Sequence, residues 1–327
     1  MQSTKLAIAA AVSLLIAMQP ATAGDYSALM KAKKYTEVER AAVAKLAQDP
    51  ANADAMIART EAILGSGNET RLEEAIKQAE QCVSAKAANA GCHLVLGKAM
   101  GMKAMTGGML AAASSAGTIR DSFKKAVELD PKNVDARFSL LQFYMMAPGF
   151  MGGGTGKAED LTAQTVPVNA EAAKLMQGSL DLAAGRFAKA EAAATGARAG
   201  ADEELLDRQE NLMIAIGAKY MGEKKFADAE RVLRDAQKRF PDSESVPYIS
   251  ARVQQEQGKH REAVAGFEQV LVKTQKPYVH FRLGQSLQAL GEKAKAMAAY
   301  EKALSFKTGL AKKMRSDAED ALKALKG

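Results

Sequence analysis

Phe281-Arg282-Leu283-Gly284-Gln285-Ser286-Leu287, followed nine residues on by Ala296-Met297-Ala298-Ala299-Tyr300-Glu301-Lys302-Ala303, decides the fold because the same order recurs upstream. One earlier copy reads Ile216-Gly217…Tyr220…Ala229…Leu233…Ala236…Pro241, and another reads Ser250-Ala251…Ala263…Phe267…Val270. Ala229, Ala263 and Ala296 are 34 and 33 positions apart, and Gly217, Ala251 and Gly284 keep the same spacing. A period of ~34 residues is that of stacked helix–turn–helix units, each burying its apolar face on its neighbours. Small residues let two helices approach closely, and the bulky residues beside them fill the space around the contact.

The pattern continues toward the N-terminus in weaker form. Gly178, Gly185-Arg186-Phe187 and Ala190…Ala194…Ala197 make one unit. Leu96-Gly97 opens another, closed by Phe123, Ala126 and Val127-Glu128-Leu129-Asp130-Pro131. Leu72, Ala75, Ala79 and Cys82 belong to a further second helix, and Tyr35, Val38, Ala42 and Asp49-Pro50 to the earliest. In residue order, the chain resembles the tetratricopeptide repeat family. It departs from that family in having no Trp at all and a closing Pro in only some units. The resemblance implies an all-α, right-handed solenoid with about seven to eight repeats over residues 24–308. Residues 309–327 then form a C-terminal capping helix.

Residues 1–23 read as a signal peptide. Lys5 is a positive start, Leu6–Met18 an apolar stretch, and Ala21-Thr22-Ala23 a small-residue cleavage site. The apolar stretch is shorter than the ~20 residues that span a bilayer, so no integral membrane anchor is expected. The expected location is the periplasm or the medium beyond it. Lys5 is the only charge in the segment, so its removal lowers the net charge from +7 to +6. No basic and aromatic stripe accompanies that charge, which argues against nucleic acid as a partner. Cys82 and Cys92, the only two cysteines, fall at the end of one second helix and the start of the next first helix. In an oxidising compartment they are expected to form a disulfide.

Two segments break the repeat. Gly101–Gly117 lengthens one helix pair, with breakers at Gly107-Gly108 and Gly117, and reads as an extended helix pair or loop at one edge. Ala147–Lys157 is Gly-rich and precedes a helix expected from about Ala158. It is not a phosphate-binding P-loop, because Met151 stands where that motif needs Gly and Ala158 where it needs Ser or Thr. It reads as a wide turn whose glycines supply positive φ. Met100, Met102, Met105, Met109, Met145, Met146 and Met151 cluster in this third of the chain, and packing is favoured over copper ligation. His93, His260 and His280 are scattered, and the acidic pairs Glu73-Glu74 and Glu203-Glu204 read as solvated faces. No catalytic set, metal site or cofactor site is expected.

The family's architecture implies that each first helix lines a concave face. Aligning the units on their small residues places Leu94, Phe138, Leu175, Ile214, Tyr248 and Phe281 there, three positions earlier. One position later come polar residues such as Arg252 and Gln285. A mostly apolar groove suits a peptide or helix of another envelope protein. The expected function is a periplasmic protein–protein interaction scaffold. The alternative is an accessory subunit or chaperone in cell-surface polymer or outer-membrane assembly. Thiol titration of the purified, unreduced protein is expected to find no free cysteine, and two reactive thiols would contradict the pairing.

Overall fold

The computed structural model describes residues 23–326, so the signal peptide assigned to 1–23 lies, except for its last residue, outside the described residues. Seventeen α-helices and no strand occur among the described residues. They alternate as pairs: α1 (Ala23–Lys31) with α2 (Tyr35–Gln48), α3 (Ala53–Gly65) with α4 (Leu72–Ala85), and α5 (Ala90–Thr106) with α6 (Gly108–Leu129). The middle pairs are α7 (Val134–Met146) with α8 (Thr155–Thr165) and α9 (Ala170–Ala183) with α10 (Phe187–Gly196). Then follow α11 (Glu203–Gly222) with α12 (Phe226–Arg239), α13 (Ser245–Glu256) with α14 (His260–Lys273), and α15 (Pro277–Ala289) with α16 (Lys293–Ser305). The last helix, α17 (Lys312–Lys326), caps the array by burying Ala318 and Leu322 against the final pair.

Two kinds of turn punctuate the chain. Inside a pair, the link from first to second helix passes through a left-handed residue, for example Gly185, Gly258 and Gly291. Lys33 and Lys224 hold the corresponding places with φ of 55° and 60°. Between four of the pairs, an Asn side chain caps the incoming first helix. Asn52 accepts from the Ala55 N–H at 3.0 Å, Asn89 from Cys92 at 3.1 Å, Asn133 from Ala136 at 2.8 Å and Asn169 from Ala172 at 2.9 Å. Each satisfies one of the helix N-terminal donors that the helix itself cannot.

Within a pair, a small residue on the first helix receives a bulky one from the second. A Cβ on Gly217 would sit 2.8 Å from the Leu233 side chain, and one on Gly284 would sit 2.8 Å from the Tyr300 ring. Gly97 takes Phe123 in the same way. Ala229, Ala263 and Ala296 are fully buried at the matching places of the second helices. First helices of most successive pairs also touch one another, α1 with α3, α3 with α5, α7 with α9, α9 with α11, α11 with α13 and α13 with α15. Second helices make no comparable contacts with one another. The first helices therefore form the tighter, inner row, and the solenoid curves around them.

Cys82 on α4 and Cys92 on α5 are joined as a disulfide, with their Cα atoms 5.3 Å apart. The 101–117 segment is helical on both sides of Gly107 and extends the α5–α6 pair, exposing Met105, Met109 and Leu110 near its tip. The 147–157 segment is a wide turn within its pair, with Gly152 and Gly154 at φ of 95° and 132°. Its helix begins at Thr155, three residues earlier than expected. The Lys157 ammonium donates back to the Gly152 carbonyl at 2.9 Å.

Two substitutions test this packing in opposite directions. Gly284→Leu is expected to overpack the Tyr300 contact and cost ~1–3 kcal/mol. Lys224→Gly relieves a left-handed side chain and is expected to gain ~0.5–1 kcal/mol after the extra flexibility of the unfolded glycine is counted. Denaturant unfolding measures both. An unchanged midpoint in the first would place Gly284 outside the helix contact.

Candidate functional site

The inner row of first helices carries a chain of charges across successive repeats. Glu61 on α3 accepts from the Lys98 ammonium of α5 at 3.1 Å. Lys98 also meets Asp135 of α7 at 2.5 Å, and Arg208 of α11 donates to the same Asp135 carboxylate at 2.6 Å. The Arg208 guanidinium lies 5.0 Å from the centre of the Phe138 ring, which adds a cation–π contact. All four charged groups are largely shielded from water. Burial pulls the Lys98 ammonium down, but Asp135 and Glu61 more than reverse this and leave it above its ordinary value. Burial likewise raises Asp135, and Lys98 and Arg208 overcome it, holding the carboxyl below 3.8.

The N-terminal pair reaches the same region from the far end of the chain. Lys31 bonds Glu203 at the start of α11 at 2.5 Å, and Lys33 bonds Glu244 just before α13 at 2.8 Å. These pairs are exposed, and solvent screening leaves them little stabilising value. Their value is geometric: the array curls until its first turn meets its sixth and seventh pairs. Beside that contact, Tyr248 of α13 and Tyr278 of α15 meet edge to face with ring centres 5.0 Å apart.

Of the residues assigned to the concave face, Ile214, Tyr248, Arg252 and Gln285 are half-buried. Leu94, Phe138, Leu175 and Phe281 are instead packed inside the solenoid, Leu175 with no exposed surface at all. The physical reason is helical register. Three positions before the small residue is nearly one turn back on the same face, the face that packs against neighbouring helices. The surface of the inner row is supplied by residues such as Lys98, Asp135, Arg208 and Tyr278, so it is more charged than an apolar groove. The cross-repeat pairs are separated by 37 residues or more, beyond any local pattern. The capping asparagines, by contrast, had a readable signal: Asp-Pro-x-Asn occurs at both 49–52 and 130–133.

The three histidines lie on separate helices. His280 is buried, within 2.9 Å of the Gln275 amide oxygen, and burial followed by the charge of Lys302 pulls it below 6.5. Among the described residues no three His, Cys, Asp or Glu side chains are placed to hold a metal ion. No helix among them is long and apolar enough to cross a membrane. Two open clefts, of about 510 and 300 Å³, lie at the α9–α12 turns around Phe187 and Tyr220 and beside Tyr144 and Lys157.

Residues 277–308, which are α15 and α16, match the tetratricopeptide repeat family. No curated protein matches the sequence. Among solved structures, a tetratricopeptide repeat protein from Parabacteroides merdae is similar at 14% identity over 93% of this chain and 97% of that one, with a TM-score of 0.46. A chain of the APC/C hetero-tetramer Cut9–Hcn1 is similar at 15% identity over 92% of this chain, with a TM-score of 0.49. Here the match spans 54% of that longer chain.

The inner charge network gives a pH-dependent prediction. Asp135→Asn leaves two shielded cations short of a partner and is expected to cost about 2–3 kcal/mol at pH 7. A folded-state pKa below the unfolded one stabilises above the unfolded value and is lost as pH falls through the folded one. The gap between wild type and variant should therefore be full at neutral pH and shrink as pH drops below 3.8. Urea unfolding at a series of pH values reads it directly.

Proposed function

We propose that this tetratricopeptide-repeat chain is a protein–protein interaction scaffold whose inner row of first helices holds an extended peptide or helix of a partner. The observation that carries this reading is the row of first helices, which places a charged network on α3, α5, α7 and α11 and an aromatic pair on α13 and α15. Such a face offers repeated anchor points to a long ligand, whereas catalysis needs several groups converging on one atom. The reading is therefore non-catalytic.

A place in the cell envelope follows from residues 1–23, read as a cleaved export signal, and agrees with a disulfide that persists in oxidising compartments. The partner is then another envelope protein. A second reading, an accessory subunit or chaperone in surface-polymer or outer-membrane assembly, draws on one separate observation. The α5–α6 tip exposes Met105, Met109 and Leu110, an apolar surface.

Anchoring energy at interfaces concentrates in buried aromatic and Arg residues. Tyr248→Ala and Tyr278→Ala are each expected to weaken capture of the partner from envelope extract by ~1–3 kcal/mol, with helicity by circular dichroism unchanged. Lys157→Ala, at the Gly-rich turn, should leave capture as it is. Equal capture by both tyrosine variants and the wild type would remove the inner face as the binding surface.

A further inference from the structure

The α5–α6 hairpin has a charge pattern unlike the rest of the chain. No Asp or Glu occurs among the forty residues 81–120, in a chain with 38 acids. Lys86, Lys98, Lys103 and Arg120 lie within that run. The outer part of the hairpin, residues 104–119, carries no charge of either sign.

Apolar exposure concentrates at the same place. Among the described residues, the largely exposed Met, Leu and Phe side chains all belong to two neighbouring tips. At the α5–α6 tip Met105, Met109 and Leu110 are 72%, 79% and 86% exposed. At the α7–α8 turn, Met146 and Phe150 are exposed. That turn packs against the flank of the hairpin, where a Cβ on Gly152 would lie 2.8 Å from the Arg120 guanidinium. From Arg120 back to Gly108, α6 runs on for about 18 Å beyond that contact. The hairpin is therefore what a flat surface meets first.

The shape of the tip and its charges say what covers it. It is the end of two helices joined through Gly107 alone, convex and narrow. A rigid protein partner would touch a few side chains there, short of the ~800 Å² per partner of a stable protein interface. A bilayer instead moulds itself around a protrusion and takes apolar side chains to a depth of ~5–10 Å, where headgroups give way to acyl chains. The first charges behind the tip on the two helices, Lys103 and Arg120, are both basic and complement anionic headgroups. Lys103 lies 2.8 Å from Glu73 and Arg120 2.8 Å from Asp121, but both acids are exposed. Surface pairs of this kind are weak and do not hold the cations back from phosphate.

We propose that the α5–α6 tip is a membrane-docking site, in which Met105, Met109 and Leu110 enter the interface of an anionic bilayer. Lys103 then sits at headgroup level, and Arg120 adds attraction from behind it. The site goes beyond the inner face as a protein-binding surface, and either can fail without the other.

The chain has no Trp, so Met109→Trp places a single fluorophore at the tip. Val272→Trp, at an exposed position on α14, is the control. The full exported chain is mixed with vesicles of equal parts phosphatidylglycerol and phosphatidylcholine. The emission of Met109→Trp is expected to move to shorter wavelength and to be quenched by lipids brominated along their acyl chains, and that of Val272→Trp to do neither. In vesicle flotation, Met105→Ser/Met109→Ser/Leu110→Ser should lower binding about tenfold or more, because interfacial binding scales with the apolar area buried. Met105→Leu/Met109→Leu should retain it, and circular dichroism should show unchanged helicity in both. Phosphatidylcholine alone, or ~0.5 M salt, should weaken binding severalfold by removing or screening the attraction to the basic residues.

No flotation with either vesicle, or a triple serine variant that floats as well as the wild type, would overturn the site. Equal binding to phosphatidylcholine alone would overturn the anionic preference. A dimer in sedimentation velocity that the triple variant abolishes, without vesicle binding, would overturn the proposal and make the tip an interface between copies. A discrete protein retained by the wild type and lost by the triple variant, again without vesicle binding, would put a protein in the place of the lipid.

Discussion

The contact of a small residue on each first helix with a bulky residue on its second helix sets the geometry of everything else. Gly217 against Leu233 and Gly284 against Tyr300 leave no room for even one methyl group without a shift. Each such contact sets how closely the two helices of its pair approach. Stability in such an array is close to a sum of repeats and their interfaces. The buried alanines at 229, 263 and 296 keep the second helices equally close. Chain regions more than 170 residues apart meet at the Lys31–Glu203 contact only because a small rotation accumulates over many repeats.

Much of this was legible in the chain itself. The period near 34 residues, the small-and-bulky order and the cysteine positions report local packing, and local packing repeats identically in each unit. The Gly-rich turn was legible for the same reason, since Gly152 and Gly154 have the positive φ that only local backbone demands explain. The inner surface was less legible. Leu175 and Phe281 have the apolar character of groove residues and the burial of core residues, and sequence alone does not separate the two. The network of Glu61, Lys98, Asp135 and Arg208 spans four first helices. Which charge faces which across repeats depends on the superhelical rotation, and no short window of sequence encodes that.

The two halves of the inner row differ in electrostatic character. Around Asp135 each cation has its anion, so that region behaves as a fixed, internally balanced brace between repeats. Around Arg252 and Arg282 the cations outnumber the anions that touch them. The exposed methionines at the α5–α6 tip form a third, apolar surface.

The assignment of the working surface is tested most directly by site-specific photocrosslinking in intact cells, with a photoreactive residue placed in turn at Gln285 on the inner face and at Met109 on the hairpin tip. The account predicts a discrete crosslinked partner from position 285, lost when Tyr248 and Tyr278 are both replaced by Ala, and none from position 109. A partner crosslinked from position 109 alone would contradict it and move the binding surface to the α5–α6 tip.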